Sequence, residues 1–345
     1  MLLRNLLFLF IPLCACCQQS KKYNIKCVAF YNVENLFDIS NDTLVFDDER
    51  TPEGSYKWNE TRYQKKIDRI SKVLSEIGRE KTNVTPDVIG LCEIENRGVL
   101  LDLIEHPNLS KNDYGIIHFP SPDKRGIDVA LLYKKHSFLP TSFKSHRLIL
   151  LDELGNRNYT RDQLVVSGIL DDEPLHFLVN HWPSRRGGEQ KSRPNRIKAA
   201  QLNKHIIDSI QNLSAQAKII SMGDFNDDPI NDSFKKVLKT KGQKTLDSLE
   251  LFNPMEKLHK KGIGSLAYRD KWNLFDQFFM TSNLTERNHG YFLWNANIYA
   301  PNFLRTSNGK YKGYPFRTYS GTTYQGGYSD HFPIYLYLIK EKKVE

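Results

Sequence analysis

The chain has 345 residues, 39% of them hydrophobic and 12% aromatic, which supplies a packed core and excludes a disordered polypeptide. Its formal net charge of +9 favours anionic partners such as nucleic acid, phosphorylated metabolites or acidic lipid headgroups, although a solvated basic surface accounts for the charge equally well. Three of the five cysteines fall within the first 17 residues, and the other two, Cys27 and Cys92, have no Cys-x-x-Cys or Cys/His spacing, which speaks against a zinc module and against thiol catalysis.

Met1 to Arg4 and the apolar residues 6–13 form a charged start followed by a run too short to remain as a membrane span. The run ends in Leu13-Cys14-Ala15-Cys16, which resembles a bacterial lipobox with Cys16 as the lipid-bearing residue; an ordinary secretory signal is the alternative. This divides the chain into a signal segment with its anchor (1–16), a polar tether (17–24) and one folded domain (25–340). The expected product is exported, as a membrane-anchored lipoprotein of the cell envelope or as a secreted protein.

Residues 25–31 read as a buried strand, and 32–38 as the loop leaving it. An acidic stretch with Asp42, Asp47, Asp48 and Glu49 follows. From Asn59 to Gly78 the apolar residues Ile67, Ile70, Val73, Leu74 and Ile77 recur at helical spacing, with Gly78 as the stop. Residues 88–92 form a second buried strand ending at Glu93. Residues 129–133, 164–170 and 175–180 read as further strands, 195–213 as a helix, and 218–222, 274–280 and 334–339 as the remaining strands. Cys27 and Cys92 lie within strands as small buried hydrophobes. The segment 295–327, rich in Tyr, Gly, Asn and basic residues, predicts a long loop walling the site next to it, with a decorative insertion as the alternative. Alternating strands and helices without an internal linker predict a single α/β domain.

Polar residues sit where the buried runs end. Asn32 closes the first strand, Glu93 the second, His181 a third, and Gly223-Asp224-Phe225-Asn226 a fourth. A carboxylate ending a buried strand needs a positive counterpart, and a hard cation with oxygen ligands would serve; an ion pair with Arg or Lys would serve equally. Asp224 and Asn226, two apart in extended chain, project to one side and reach a common phosphoryl centre. His331, in Ser329-Asp330-His331, requires an orienting carboxylate, and Asp276 is the candidate. Asp128 is the candidate to orient His181, with a plain strand-start residue as its alternative.

In chain order, Tyr31-Asn32-Val33-Glu34-Asn35, Cys92-Glu93, His181, Gly223-Asp224-Phe225-Asn226, Asp276 and Ser329-Asp330-His331 resemble the endonuclease/exonuclease/phosphatase superfamily with the DNase I-like fold. The resemblance implies a four-layer α/β/β/α sandwich with two sheets face to face. It also implies Mg2+, with Mn2+ or Ca2+ as alternatives, held by Glu93, Asn32 and Asp330. Asp224 and Asn226 would position water and phosphate, and Asp276 with His331 would act as base or transition-state stabiliser. His181 stands where secreted nucleases and sphingomyelinase-type relatives carry a histidine. Arg161 falls where secreted DNases bind phosphate, and Arg185 and Arg186, in a basic loop with Arg193 and Arg196, would add further grip.

The expected activity is that of an exported, Mg2+-dependent phosphodiesterase, an endonuclease acting on DNA or RNA as a monomer. Phospholipid-headgroup or inositol-type phosphoester hydrolysis is the alternative within the superfamily, although no exposed apolar hairpin is read in the sequence. A binding module without catalysis is the alternative from another class, opposed by the presence of Glu93, Asp224 and His331.

Overall fold

The computed structural model describes residues 22–244, 249–287 and 289–342; the expected signal segment, Cys16 and the tether up to residue 21 lie outside the described residues. Two six-stranded mixed sheets pack face to face. The first contains β1 (Tyr23–Leu36), β2 (Val88–Ile94), β3 (Tyr114–His118), β4 (Asp128–Lys134), β11 (Phe292–Ile298) and β12 (Ile334–Glu341). The second contains β5 (Phe138–His146), β6 (Gln163–Leu170), β7 (Glu173–His181), β8 (Ile219–Asp224), β9 (Leu251–Phe252) and β10 (Asp276–Thr281). β1 starts at Tyr23, so the last residues of the expected tether already belong to the sheet.

The strand orders are β11-β12-β1-β2-β4-β3 and β5-β6-β7-β8-β10-β9. Both sheets follow one plan, with a central parallel pair flanked by antiparallel neighbours. Each parallel pair is joined by a helical crossover, α1 (Glu60–Glu76) for β1 and β2, and α3 (Glu189–Leu213) for β7 and β8. The carboxyl ends of the paired strands therefore emerge on one side of their sheet. They meet there the amino ends of β4, β12, β6 and β10.

The interlayer core is built from alternate residues of both sheets, among them Val28, Phe30, Val129 and Leu131 facing Val166, Phe177, Val179, Met222 and Phe278. Burying each such side chain contributes about 1.5–3 kcal/mol, and a slip of one residue would turn a whole strand's set outward. The register that fixes the strand ends is thus set by the core. Gly90 lies so close to Met222 and Phe30 that a Cβ there would stand 2.9 and 3.0 Å from them.

α1 packs Tyr63, Ile67, Ile70, Val73 and Leu74 on the outer face of the first sheet, beside α2 (Arg97–Glu105). Its start is capped by the Asn59 side chain, which accepts from Arg62 N, and Gly78 follows its end with φ 73°. α3 covers the second sheet with Ala199, Ala200, Ile206 and Ile207. It begins at Glu189, six residues before the expected start, with Pro194 inside it. Ser192 Oγ on Gly188 O and the Arg193–Glu189 pair hold that first stretch helical despite the proline. Among the described residues no helix is long and apolar enough to cross a membrane.

The segment 295–327 is only in part the loop that its sequence suggests. Residues 295–298 extend β11, and a small hairpin forms at Tyr319–Ser320 and Thr323–Tyr324. It is fastened to the core by Lys66 Nζ, which donates to Thr318 Oγ1 and Tyr328 O at 2.6 Å each, while Glu34 accepts from Thr318 N at 2.6 Å.

Candidate active site

Three strand ends and one register break supply the centre of the site: Glu93 from β2, His181 from β7 and Asp224 from β8, with Asn32 where the pairing of β1 with β2 shifts. Asn32 Nδ2 donates to Asp224 Oδ2 at 3.0 Å and lies 3.4 Å from Glu93 Oε1, which joins the two sheets through one amide. His181 Nε2 stands 3.8 Å from Glu93 Oε1 and 3.7 Å from Asp224 Oδ2. Each carboxylate is placed by local backbone. Glu93 sits in a bulge, with φ 62°, where the register of β2 against β4 shifts between Cys92 and Ile94. Asn35 N donates to its Oε2 at 2.9 Å. Glu34, Asn35 and Asn226 also have positive φ, so left-handed backbone is concentrated at these strand ends.

A second group faces them. His331 Nδ1 is bonded to Asp276 Oδ2 at 2.6 Å, and His331 Nε2 lies 3.9 Å from Asp224 Oδ2. Ser329 sets the approach of this turn. Its Oγ donates to Asn32 O at 2.6 Å and accepts from His331 N at 3.1 Å. Asp330 is half-buried, 4.0 Å from His331 Nε2, and accepts from Arg317 at 3.2 Å. Asn226 N donates to Asp224 Oδ1 at 3.0 Å, and Asn226 Nδ2 donates to Trp182 O at 3.0 Å.

The two histidines are driven to opposite proton states. Burial holds His181 well below the usual imidazole range, helped by the nearby charges of Arg161, Arg125 and His331. Burial opposes the charge on His331 too, but Asp276, by charge and hydrogen bond, together with Asp224 and Asp330, raises it well above that range. The Asp224 carboxyl is pushed up to about 7 by burial and by Asp276 and Glu93, against the lowering effects of His331 and the Asn226 N–H.

Glu93, Asp224 and Asp276 therefore gather negative charge that the protein balances only in part, and Asp276 Oδ1 is buried without a hydrogen-bond partner. Asp224, Asp276 and His331 place ligand atoms within 4.8 Å of one another. Hard oxygen donors with an unpaired buried carboxylate oxygen fit a divalent cation. This trio differs from the expected ligand set of Asn32, Glu93 and Asp330, because the strand pairing Asp224–Asp276 sets those two acids side by side.

Other expected site residues lie elsewhere. Asp128 does not orient His181: its Oδ2 pairs with His118 Nε2 at 2.9 Å and its Oδ1 accepts from Ser121 N and Oγ. His181 Nδ1 has no partner. Arg185 is engaged within the protein, donating to Asn226 O, Asp227 and Asn231 and stacking over Phe275. Arg196 is fully buried on Asp227 at 2.6 Å, and Arg193 pairs with Glu189, so the basic loop is largely a brace for Asp227. Arg186 is exposed. Arg161 is buried, with Nη1 on Asp123 Oδ2 at 3.0 Å and Nη2 on Trp182 O at 2.7 Å. The sequence reading missed His118, Ser121, Lys66 and Asp227, and it quoted Glu34 and Ser329 in their motifs without a role. Among the four, Asp227 carries a visible signal, a second acid directly after Gly-Asp-Phe-Asn.

Residues 27–340 match the Endonuclease/Exonuclease/phosphatase family. No curated protein matches the sequence. Among solved structures, D. rerio TDP2 complexed with a single-strand DNA product superposes with a TM-score of 0.55 at 14% identity, over 91% of this chain and 98% of that one. An endonuclease/exonuclease/phosphatase family protein from Bacteroides thetaiotaomicron gives 0.53 at 15% identity, over 93% and 97%. The human Nocturnin catalytic domain with bound sulfate gives 0.53 at 14%, over 93% and 98%. At such identities the likeness is one of fold, and it is the family match over nearly the whole described domain that assigns the chain: it belongs to the Endonuclease/Exonuclease/phosphatase family.

Proposed function

We propose that this chain hydrolyses nucleic-acid phosphodiester bonds as an exported, Mg2+-dependent endonuclease. The observation that carries the reading is the convergence of Asn32, Glu93, His181 and Asp224 with the Asp276–His331 pair at one end of the two sheets. The DNA product bound to the TDP2 relative supports a nucleic-acid substrate. Glu93 and Asn32, together with the unpaired Oδ1 of Asp276, would hold the cation. When bound, it would neutralise charge on the phosphate and lower the pKa of water.

The chain's own groups then divide the work. Asp224, near neutrality in its proton affinity, takes a proton from the attacking water. His331, kept protonated by Asp276, gives its Nε2 proton to the sugar oxygen that leaves as the scissile P–O bond breaks. Neutral His181 orients the scissile group from the opposite side, and Arg161 and Arg186 contribute positive field. A lipid on Cys16 would keep a monomeric enzyme at the surface of the envelope.

One observation favours the second reading, hydrolysis of a phospholipid headgroup. Contrary to the sequence expectation, a hairpin pairing Leu150–Leu151 with Arg157–Asn158 exposes Ile149, Leu151 and Leu154. The deciding experiment incubates the chain lacking residues 1–17 with supercoiled plasmid and Mg2+, alongside EDTA and folded His331→Ala controls. Nicking lost in both controls supports the endonuclease. Intact plasmid with hydrolysis of phospholipid vesicles moves the assignment to the second reading.

A further inference from the structure

The sandwich has a second end, opposite the catalytic strand ends. There β1 begins with Tyr23 paired to Glu341 of β12, and β10 finishes with Thr281 paired to Leu251 of β9. Asp276 pairs with Asp224 at the catalytic end of β10, so Thr281 marks the opposite one. Lys241 lies at the same level: its N–H donates to Leu251 O at 2.8 Å and its carbonyl accepts from Asn253 N at 2.8 Å.

Cations are concentrated on this opposite end and its flank. A cleft of about 710 Å³ beside β9 is lined by Lys235, Lys236, Lys239, Lys241 and Lys260, and Glu256 is the one acid among them. Glu256 is already taken by Lys235 at 2.5 Å and Lys260 at 2.8 Å. Asp171, Asp172 and Glu173, at the turn joining β6 to β7, are taken by Lys26, Lys340 and Lys218. Among the described residues, Lys22, Lys239, Lys244, Arg287 and Lys342 are exposed and have no carboxylate within 4.0 Å. Burial and the charge of Arg287 hold Lys244 below the usual lysine range, so like charges are crowded there. Lys239 has φ 57°, backbone that favours glycine, so a lysine is kept where it is strained.

Lysines are compact point charges without the fork of arginine, which suits a diffuse layer of negative charge better than one shaped anion. The chain also enters the domain at this end, since Lys22 is the first described residue. Extended chain from Cys16 to Lys22 would reach at most about 20 Å. A basic surface beside an acyl anchor supplies the second signal that stable anchoring takes. We propose that this lysine-bearing end docks on an anionic lipid bilayer, which holds the catalytic centre about 30 Å away, the length of β1 from Tyr23 to Asn32, facing the solution. The inference takes from the proposed function only the lipid on Cys16, and it favours a dissolved polymer over headgroups of the same membrane as substrate. The rival membrane face is the hairpin with Leu151 and Leu154 at the catalytic end, but its tip carries Asp152 and Glu153, which an anionic surface repels.

The test uses the chain lacking residues 1–17, so that no lipid is attached, and vesicles of phosphatidylglycerol and phosphatidylcholine in equal parts. Sedimentation should show binding that is absent on pure phosphatidylcholine and lost at about 1 M salt, where charges are screened beyond about 3 Å. Lys239→Ala/Lys244→Ala should weaken it at least tenfold, at about fivefold for the ~1 kcal/mol that each lysine contributes at such a surface. Lys124→Ala/Lys191→Ala makes the same change of charge at the catalytic end and should leave binding unchanged. Orientation is read by energy transfer from a dye on Lys239→Cys or on Lys124→Cys to an acceptor in the bilayer, since Cys27 and Cys92 are buried and stay unlabelled. Transfer should be stronger from the Lys239→Cys chain. The inference is overturned if the control pair loses as much, if transfer is stronger from the catalytic end, or if dT12 displaces the vesicles, which would give the lysine end to nucleic acid. Docking as expected without Mg2+-dependent nicking of plasmid would remove the nuclease reading alone. Nicking without docking would remove the docking inference alone.

Discussion

Replacing Asp276 with Asn separates function from stability at this site. The carboxylate is fully buried and makes the 2.6 Å bond that keeps His331 charged and correctly turned. A hydrogen bond to a charged partner contributes about 1.5–3 kcal/mol. An amide of the same shape presents the wrong group to Nδ1 and removes the main support for the imidazolium. At about 1.4 kcal/mol per tenfold, kcat should fall about 10- to 100-fold, and up to about 10,000-fold if the tautomer is lost as well. Stability should hardly change, because Asp276 Oδ1 has no partner and the carboxylate repels Asp224 across the strand pair. The assay is Mg2+-dependent hydrolysis of bis(p-nitrophenyl) phosphate, read beside a thermal melt. A melting temperature within about 3 °C of the parent's, with the large loss in kcat, is expected. A loss of activity under threefold, or one matched by collapse of the melting temperature, refutes the assigned role.

Two other perturbations have defined outcomes. Glu95 is pushed up to about 8, chiefly by burial and then by Asp38, Asp47 and Asp42, despite a bond from Asp38 N. A carboxyl whose folded pKa is raised favours folding below its unfolded value of about 4.3 and loses that advantage as pH rises towards 8. Glu95→Gln should therefore gain ~1–2 kcal/mol over the parent at pH 8 and nothing at pH 4, in urea titrations. Lys66→Ala should cost about 3–5 kcal/mol, since it leaves the buried Glu34 carboxylate unbalanced and frees the Thr318–Tyr328 stretch. Adding Glu34→Gln should recover part of that loss, and an unchanged urea midpoint in the single variant would exclude the clasp.

The strand ends were legible in the sequence because the parallel pairs are buried on both faces, so they read as unbroken apolar runs closed by a polar residue. β5 was not, since eight of its nine residues are part or fully exposed and lack a clean alternation. β3 and the two-residue β9 are similarly short edge pieces. Side-chain partners were harder still. His118 and His181 both lie in reach of a sequence argument for Asp128, and only the antiparallel pairing of β3 with β4 sets His118 beside it. The basic loop had an equal claim to phosphate and to a buried acid. Asp227, one residue beyond the catalytic turn, takes Arg185 and Arg196 because an unpaired carboxylate at 1% exposure would be costly.

The most direct test of the account is the Mg2+ dependence of cleavage of a 20-nucleotide DNA strand by the parent chain and by Glu93→Gln. Cleavage by the parent should saturate with Mg2+, and the variant should need at least tenfold more Mg2+ to reach half its own maximal rate. Cleavage that persists in EDTA, or a variant with the parent's Mg2+ requirement, would contradict the claim that the strand-end carboxylates hold the ion on which hydrolysis depends.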